Sequence, residues 1–420
     1  HAPFTSVGAP AWRPDGRELA VVGRGNYSEW GEYGSLAVWA ADTHQWRSID
    51  ARKDRSVEDV RWIRNETILV RVDDRFSDSL VSLDPASGKT AAISLAPSVL
   101  GAFDVSHGGQ MLFTAQTGAH QSRAFARSLW EARSPQLVED PNPQLSGIVL
   151  GKQIRATWVG GAHEAHDGLY ILPPGYSPGK RYPLLIDVYP EAARDRFHSG
   201  ASGMELGQLQ AAWGYVVFMA SPRGSVSRLY DFSRGKQAVE VASGVRGKDI
   251  AVEDVLEGIR ALVAEGLVDD QRVCTFGHSN GGYVANILAT EAPGSARCIV
   301  VSAGYSDLAH AYFNEPTHAW SQGFAQADLL ISPQTYVELS PIFRMGAVHS
   351  RMLLVDGDAD WLPFLPQMIM QFNALRLAGK DVEFLRYPGE GHVFSRPEDI
   401  EDKLIRIQHF ISENIGSGPE

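Results

Sequence analysis

The chain has 420 residues, which is more than one ordinary domain requires, and its content of 44% hydrophobic and 21% charged residues is typical of a globular protein with a large core. Its formal net charge of -12 at pH 7 argues against nucleic acid as a partner, because phosphate binding requires a basic surface. No run of about 18 apolar residues occurs, so we expect no helix that spans a membrane.

The first part of the chain, residues 1–143, contains short β-rich runs separated by turn clusters such as Pro14–Gly16. The pattern repeats loosely, with units that open near Ala11, Val60 and Phe103. A period of about forty residues with four short strands in each unit is typical of propeller blades. An irregular β-sandwich is the alternative interpretation.

The number of repeats has a consequence for this predicted propeller. Three blades do not close a ring, since propellers need about four to eight. An open ring would leave strand edges unpaired. We therefore expect either an upstream segment or a second polypeptide to complete the propeller.

A polar, proline-containing connection at Glu139–Pro143 marks the predicted boundary between a domain of residues 1–143 and a second domain of residues 144–420. Beyond it, near-continuous apolar strands alternate with helical stretches. This order predicts an α/β fold with a mostly parallel sheet and helices on both faces. The predicted core strands are Leu184–Tyr189, Tyr215–Ala220, Val273–Phe276, Cys298–Ser302, Met352–Asp356 and Val382–Arg386, and the predicted helices include Ile250–Glu265, Pro366–Ala378 and Glu398–Glu413.

The two cysteines of the chain, Cys274 and Cys298, both fall in predicted core strands. We expect them to be small buried hydrophobic residues rather than a disulfide or a metal pair. Without a disulfide framework, the cysteines assign the chain to no redox compartment. The N-terminal residues lack the basic and apolar regions of a signal peptide, which leaves the localisation open: cytoplasmic or, if an upstream signal was removed, periplasmic or secreted.

The segment Gly277–Gly281 reads Gly-His-Ser-Asn-Gly and lies between an apolar strand and a helix-compatible stretch. This context is typical of a nucleophile elbow, in which a tight strand-to-helix turn exposes the serine. Two glycines flank that serine because the turn has no room for a Cβ atom. Ser279 is therefore the predicted nucleophile, and the N–H of Asn280 is the predicted oxyanion donor.

A serine nucleophile needs a base and an orienting carboxylate, which follow it in the order Asp, His in α/β-hydrolases. His392, in a glycine-bracketed loop after the last predicted strand, is the predicted general base. Three carboxylates follow the preceding strand, at Asp356, Asp358 and Asp360. Asp360 lies in the loop and can reach an imidazole, whereas Asp356 is nearer the strand end and Asp358 would have to point the other way.

The same three carboxylates resemble the opening of a calcium-binding loop. That loop requires glycine at its sixth position and glutamate at its twelfth, where this chain has Trp361 and Gln367. Similarly, His163 and His166 lack the spacing of a zinc-binding helix. We predict no metal site and no cofactor, since the triad chemistry needs neither.

These segments together resemble the prolyl oligopeptidase family of serine peptidases, with most similarity to its dipeptidyl-peptidase and acylaminoacyl-peptidase branches. The resemblance covers residues 145–415 and implies an α/β-hydrolase domain preceded by a β-propeller. The matching segments are Leu172–Tyr176, Tyr182–Tyr189, Pro222–Ser225, Gly277–Tyr283, Gly357–Asp360 and Tyr387–His392.

The resemblance also implies roles for individual residues. In this family the acid is the last residue of a Gly-x-x-Asp motif, which falls on Asp360, and the second oxyanion donor is a tyrosine hydroxyl, which falls on Tyr189. Tyr312 and Phe313 fall in the segment that lines the first substrate pocket. Many members pair through the hydrolase domain, which suggests a homo-oligomer. The chain departs from the family pattern at Pro190–Ala192 and after Asp360, which leaves the specificity open.

The function predicted from the sequence is a serine peptidase that hydrolyses short peptides through an acyl-enzyme, with the propeller limiting substrate size. An esterase or other acyl hydrolase on the same scaffold is the first alternative. A non-enzymatic binding protein on a decayed hydrolase scaffold is the second, and an intact triad argues against it.

Overall fold

The computed structural model describes residues 4, 6–24, 34–49, 55–74, 76–95, 98–106, 108–131, 133–159, 165–189, 193–221, 244–315, 318–360 and 364–419. The chain forms two units. The first, here called the β-sheet unit, holds His1–Ile148 and Arg194–Phe197, and the second, the α/β unit, begins at Val149. The domain boundary after residue 143 stays a prediction.

Several segments singled out in the sequence lie outside the described residues. They are the family motif at Pro222–Ser225, the two departures from the family pattern at Pro190–Ala192 and Trp361–Leu362, and His163 with Glu164.

The β-sheet unit consists of short antiparallel strands. They are β1 Ser6–Val7, β2 Ala11–Trp12, β3 Glu18–Arg24, β4 Ser35–Ala40, β5 Trp46–Ile49, β6 Val57–Arg64, β7 Thr67–Asp74, β8 Ser77–Leu83, β9 Thr90–Ile93, β10 Val99–Val105, β11 Gln110–Thr117, β12 His120–Ser128 and β13 Gln136–Glu139. In the described part of this unit the strands form three sheets, made of β1–β5, β6–β9 and β10–β13. Each repeat predicted from the sequence corresponds to one of these sheets.

Two apolar layers hold the three sheets together. Val70 of the middle sheet packs in a layer with Val38 of the first sheet, and both side chains are 0% exposed. Its chain neighbour Leu69 points the other way, into a layer with Phe113 of the third sheet. Successive side chains of a strand alternate between faces, so the middle sheet is buried on both sides. Its near-continuous apolar strands follow from that burial.

The α/β unit contains the remaining strands and the helices. Its strands are β14 Gln153–Val159, β15 Ala165–Ile171, β16 Tyr182–Asp187, β17 Val216–Ser221, β18 Val268–His278, β19 Cys298–Ser302, β20 Arg351–Gly357 and β21 Val382–Tyr387. Within the described residues its helices are α1 Gln208–Ala212, α2 Gly244–Ala264, α3 Asn280–Glu291, α4 Leu308–Asn314, α5 Ala319–Ala325, α6 Pro333–Leu339, α7 Phe364–Leu377 and α8 Pro397–Ile415, with a short 3-10 helix at Pro341–Ala347. Another 3-10 helix, Pro143–Gly147, lies at the end of the first unit. The core strands and helices predicted from the sequence are all present, with shifted ends.

The strands of this unit form one eight-stranded sheet in the order β14-β15-β17-β16-β18-β19-β20-β21. From β17 onward the pairs are parallel, whereas β14 and β15 run antiparallel at one edge. Parallel strands end at the same edge of the sheet, so the loops after β16, β18, β20 and β21 meet there. In the described part of the chain, no helix is long and apolar enough to cross a membrane.

The interpretation of the two cysteines was wrong, because Cys274 and Cys298 form a disulfide bond. They are directly opposite each other on the parallel strands β18 and β19, with their Cα atoms 4.7 Å apart. That separation is within the range that a disulfide requires. The pairing depends on the register of two strands joined through α3, which the sequence pattern does not reveal.

The disulfide leads to a prediction about stability. Replacing both residues, Cys274→Ala with Cys298→Ala, should lower the free energy of unfolding by about 3 kcal/mol, since the bond closes a long loop in the unfolded chain. Denaturant unfolding measures this loss. Alkylation in denaturant, read by intact mass, should modify both thiols only after reduction; modification of both without reductant would contradict the bond.

Candidate active site

Ser279 occupies the turn between β18, which ends at His278, and α3, which begins at Asn280. Its backbone has φ 58 and ψ -120, a conformation that residues other than glycine rarely adopt. The N–H of Ser279 donates a hydrogen bond to the carbonyl of Ser302 at the end of β19, with an N···O distance of 2.9 Å. The neighbouring strand therefore helps to hold the serine in this strained turn.

The glycines around Ser279 are required by the close approach of backbone segments. A Cβ atom on Gly277 would clash with the carbonyl oxygen of Gly281, and one on Gly281 would clash with the carbonyl oxygen of Val188. A Cβ on Gly282 would lie 2.7 Å from the Cα of Gly304. The side-chain-free positions predicted from the motif thus correspond to actual backbone contacts.

Three of the predicted site residues meet at the sheet edge. His392 places its Nε2 atom 2.9 Å from Ser279 Oγ and its Nδ1 atom 2.9 Å from Asp360 Oδ2. The Asp360 side chain is 0% exposed, whereas that of His392 is 19% exposed. The imidazole can therefore accept a proton from the serine while the carboxylate accepts the N–H on its other side.

Of the three carboxylates at the end of β20 and in the loop after it, Asp358 has a different set of contacts. Its Oδ1 atom accepts a hydrogen bond of 2.6 Å from the N–H of Gly389, in the loop after β21. The N–H of Ala359 donates to the carbonyl of Glu390 over 2.9 Å. These bonds tie the loop that carries Asp360 to the loop that carries His392.

Glu390 has a supporting role that the sequence did not suggest. Its side chain is buried and accepts hydrogen bonds from the backbone N–H groups of Ser395, at 2.8 Å, and Arg396, at 3.0 Å. Although burial acts in the opposite direction, these donors and the Arg396 guanidinium lower the pKa of Glu390 to about 2. The ionised carboxylate therefore closes the loop around His392.

His278 is a second imidazole at the site, visible in the sequence only as a variable position of the motif. Its ring centroid lies 4.9 Å from that of His392, and its Nδ1 is 3.1 Å from Ser302 Oγ. Burial, with smaller electrostatic contributions from His392 and Lys403, lowers the pKa of His278 to about 3. The ring is thus neutral near pH 7 and adds no charge beside the general base.

The two predicted oxyanion donors lie at the elbow. Asn280 is the first residue of α3, so its N–H precedes the hydrogen-bond ladder of the helix. Its Oδ1 accepts a 3.0 Å hydrogen bond from the hydroxyl of Tyr305. Tyr189 follows β16. A Cβ atom added to Gly281 would lie 3.2 Å from Cδ2 of Tyr189, so the tyrosine ring lies beside the turn.

The two residues predicted to line a pocket differ in their surroundings. Tyr312 is 4% exposed and stacks on His318, with ring centroids 4.5 Å apart, whereas Phe313 is 64% exposed. An aromatic ring that does contact the triad is Phe364, whose centroid lies 4.4 Å from that of His392. Phe364 was missed, although its position just after the acid loop could have suggested it. The assignment of Tyr312 and Phe313 to a pocket stays a prediction.

Comparison with known proteins identifies the family. Residues 205–418, about half of the chain, match the model of the prolyl oligopeptidase family. This protein belongs to the prolyl oligopeptidase family. The family resemblance inferred from the motifs is confirmed.

Relatives of this prolyl oligopeptidase family member include mouse dipeptidyl peptidase 8, which is 26% identical over 267 residues, covering 60% of this chain and 27% of the relative. Among solved structures, Pyrococcus horikoshii acylaminoacyl peptidase superposes with a TM-score of 0.79 at 20% identity, covering 96% of this chain and 62% of that chain. An acylaminoacyl peptidase in complex with Z-Gly-Gly-Phe-chloromethyl ketone gives a TM-score of 0.80 at 20% identity, covering 97% and 63%.

These similarities confirm the predicted fold class, an α/β-hydrolase preceded by part of a β-propeller. The chain spans less than a third of the length of the mouse dipeptidyl peptidase that it matches. Membership of the prolyl oligopeptidase family therefore rests on the α/β unit, which contains nearly all of the matched residues.

The contact between Gly281 and Val188 leads to a prediction. Gly281→Ala should shift the start of α3, lower the free energy of unfolding by roughly 1–3 kcal/mol through overpacking, and slow the reaction of Ser279 with an electrophile. The control is Gly346→Ala, where a Cβ would contact nothing within 4 Å. Thermal unfolding and labelling rates measure both effects; equal behaviour of the two variants would contradict the predicted clash.

Proposed function

We propose that this chain is the catalytic part of a serine peptidase that hydrolyses short peptides. The observation that carries the proposal is the position of His392, whose two ring nitrogens each lie 2.9 Å from a partner, Ser279 Oγ on one side and Asp360 Oδ2 on the other. Membership of a family whose matched relatives are named as peptidases supports a peptide as the substrate.

In the proposed reaction, Ser279 Oγ forms a bond to the scissile carbonyl carbon while its proton moves to Nε2 of His392. Asp360 accepts the N–H on the other ring nitrogen and stabilises the imidazolium that forms. The tetrahedral intermediate then collapses with cleavage of the C–N bond, and Nε2 donates its proton to the departing amine. Water attacks the acyl-enzyme by the same route and restores Ser279.

The oxyanion of the tetrahedral intermediate would accept hydrogen bonds from the N–H of Asn280 and the hydroxyl of Tyr189. The N-terminus of α3 adds a partial positive charge at this point. Both residues adjoin the elbow, so we expect the reaction to need little reorganisation. Two further aromatic rings adjoin the site: Phe364 contacts His392, and Trp320 contacts Tyr305. Together with Tyr312 and Phe313, they are candidates for contacts with the substrate.

We also propose that the β-sheet unit, completed to a full propeller by an upstream segment or a second polypeptide, limits the size of the substrate. An exposed side chain in the third sheet supports the completion of the propeller by a further segment. Leu112 lies on the face opposite Phe113 and is 54% exposed. A homo-oligomer is a further proposal that rests on the family alone, and the oligomeric state in solution tests it.

The first experiment on this proposal is reaction with a fluorophosphonate probe, followed by intact mass. The wild-type protein should gain one adduct and Ser279→Ala none, and the same substitution should reduce peptide hydrolysis by at least about a thousandfold. Equal peptide hydrolysis by the two proteins would overturn the assignment of Ser279. Hydrolysis of no peptide by a protein that does react with the probe would favour another acyl hydrolase.

A comparison of substrates separates the peptidase from the esterase. A peptide anilide and a short acyl ester are assayed with the same protein, and a peptidase should retain substantial kcat/KM on the amide, which is the harder bond to break. Turnover of the ester alone would favour the esterase. Absence of both activities and of the probe adduct would favour a binding protein.

The proposed role of Tyr189 is tested by Tyr189→Phe, which removes only the hydroxyl. Loss of one oxyanion donor should reduce kcat by roughly 100- to 1000-fold with little change in KM, because the bond forms in the transition state. Steady-state kinetics on one peptide substrate measure this. Tyr176→Phe, at a tyrosine outside the site whose ring packs on Tyr182, is the matched control.

A further inference from the structure

A second carboxyl group lies behind the carboxylate that contacts His392. Asp356 is near the end of β20, four positions before Asp360 in the chain, and its side chain is 0% exposed. Its Oδ1 atom accepts a hydrogen bond of 2.8 Å from the N–H of Gly357. The backbone therefore fixes the orientation of this carboxyl group.

Asp360 is an electrostatic and side-chain hydrogen-bonding neighbour of Asp356, and both side chains are 0% exposed. Each has one buried oxygen, Oδ2 of Asp356 and Oδ1 of Asp360, that receives no hydrogen bond from an N–H or hydroxyl group in the described part of the chain. Two buried carboxylates side by side would repel, and each would keep an unsatisfied oxygen. A single proton between them removes both costs.

We propose that Asp356 is a positioning residue whose protonated carboxyl group donates a hydrogen bond to Asp360 and so holds the carboxylate that orients His392. The proton belongs on Asp356 because Asp360 must stay an acceptor for the N–H of His392 at 2.9 Å. This proposal rests on the proposed function, since it assigns Asp360 to the catalytic triad.

The charges around Asp356 agree with this assignment. Burial, followed by the neighbouring Asp360 carboxylate, raises the pKa of Asp356 to about 8, and Lys403 of α8 acts against the rise. Lys403 is itself buried, with Nζ 3.9 Å from the Phe394 ring centroid, and burial lowers its pKa to about 8, opposed by Glu390 and Asp356. Lys403 also acts to lower the pKa of His278, whose ring centroid lies 4.9 Å from that of His392.

A role in positioning predicts a specific dependence on pH. Below about pH 8 Asp356 is neutral and donates to Asp360. Above that pH, an ionised Asp356 cannot donate a hydrogen bond and repels Asp360. The Asp360 carboxylate is then no longer held in place beside His392, so the activity falls. Because Lys403 titrates in the same range, only a substitution at Asp356 assigns this loss.

The test uses the rate of fluorophosphonate labelling between pH 6 and 10, since the probe has no amine that titrates. Asp356→Asn keeps a donor toward Asp360 and an acceptor for Gly357 but cannot ionise, so the alkaline decline should move up by at least one pH unit or vanish. Asp356→Val, which removes the donor, should lower the rate at least tenfold at pH 7. The control Asp358→Asn alters a carboxylate that contacts Gly389 and should keep the wild-type decline.

Thermal stability gives a readout that does not depend on catalysis. A carboxyl group whose pKa is higher in the folded state stabilises the fold at low pH and loses that contribution as pH rises through the folded value. The Tm of Asp356→Asn minus that of wild type should therefore increase steadily from pH 5 to pH 8. The same difference for Asp358→Asn should stay flat.

The outcomes separate this proposal from the proposed function. An alkaline decline in Asp356→Asn identical to that of wild type, or a Tm difference independent of pH, would overturn the proposal while leaving the peptidase intact. A wild-type protein that is never labelled would instead overturn the proposed function, and the Tm difference would still report whether Asp356 holds the proton.

Discussion

The parallel pairing of β18 with its neighbours fixes the geometry on which the site depends. Hydrogen bonds between parallel strands set one register for the whole sheet, so the ends of β16, β18, β20 and β21 come to the same edge. Each contributes one group there, and residues that are up to 203 positions apart in the chain, from Tyr189 to His392, are positioned by the backbone. The side chains then need only short loops to reach one another.

Close packing at the elbow and burial behind it are linked. The glycine at position 281 lets the carbonyl of Val188 approach the turn, and the glycine at position 277 lets the carbonyl of Gly281 approach it. Charged groups in such a place lose their hydration, so each must find a partner or give up its charge. Glu390 keeps its charge because backbone N–H groups donate hydrogen bonds to it, whereas His278 stays neutral.

The sequence predicted those features that depend on local pattern. The Gly-x-Ser-x-Gly turn and the three repeats are readable from neighbouring residues. The assignment of Asp360 among three carboxylates came from the family resemblance instead. The sequence did not predict the disulfide or the burial of Asp356 behind Asp360, because both depend on which atoms face each other after folding. Phe364 was missed although it closely follows the acid loop, because its packing on His392 forms only after folding.

The layered construction of the β-sheet unit has a consequence for how such proteins change over evolution. Each apolar layer lies between two consecutive sheets, as Val38 with Val70 and Leu69 with Phe113 show. The gain or loss of one sheet therefore alters a single layer and leaves the other packing unchanged. A gene can lengthen or shorten this array by whole repeats, while the residues of the hydrolase fold remain under separate selection.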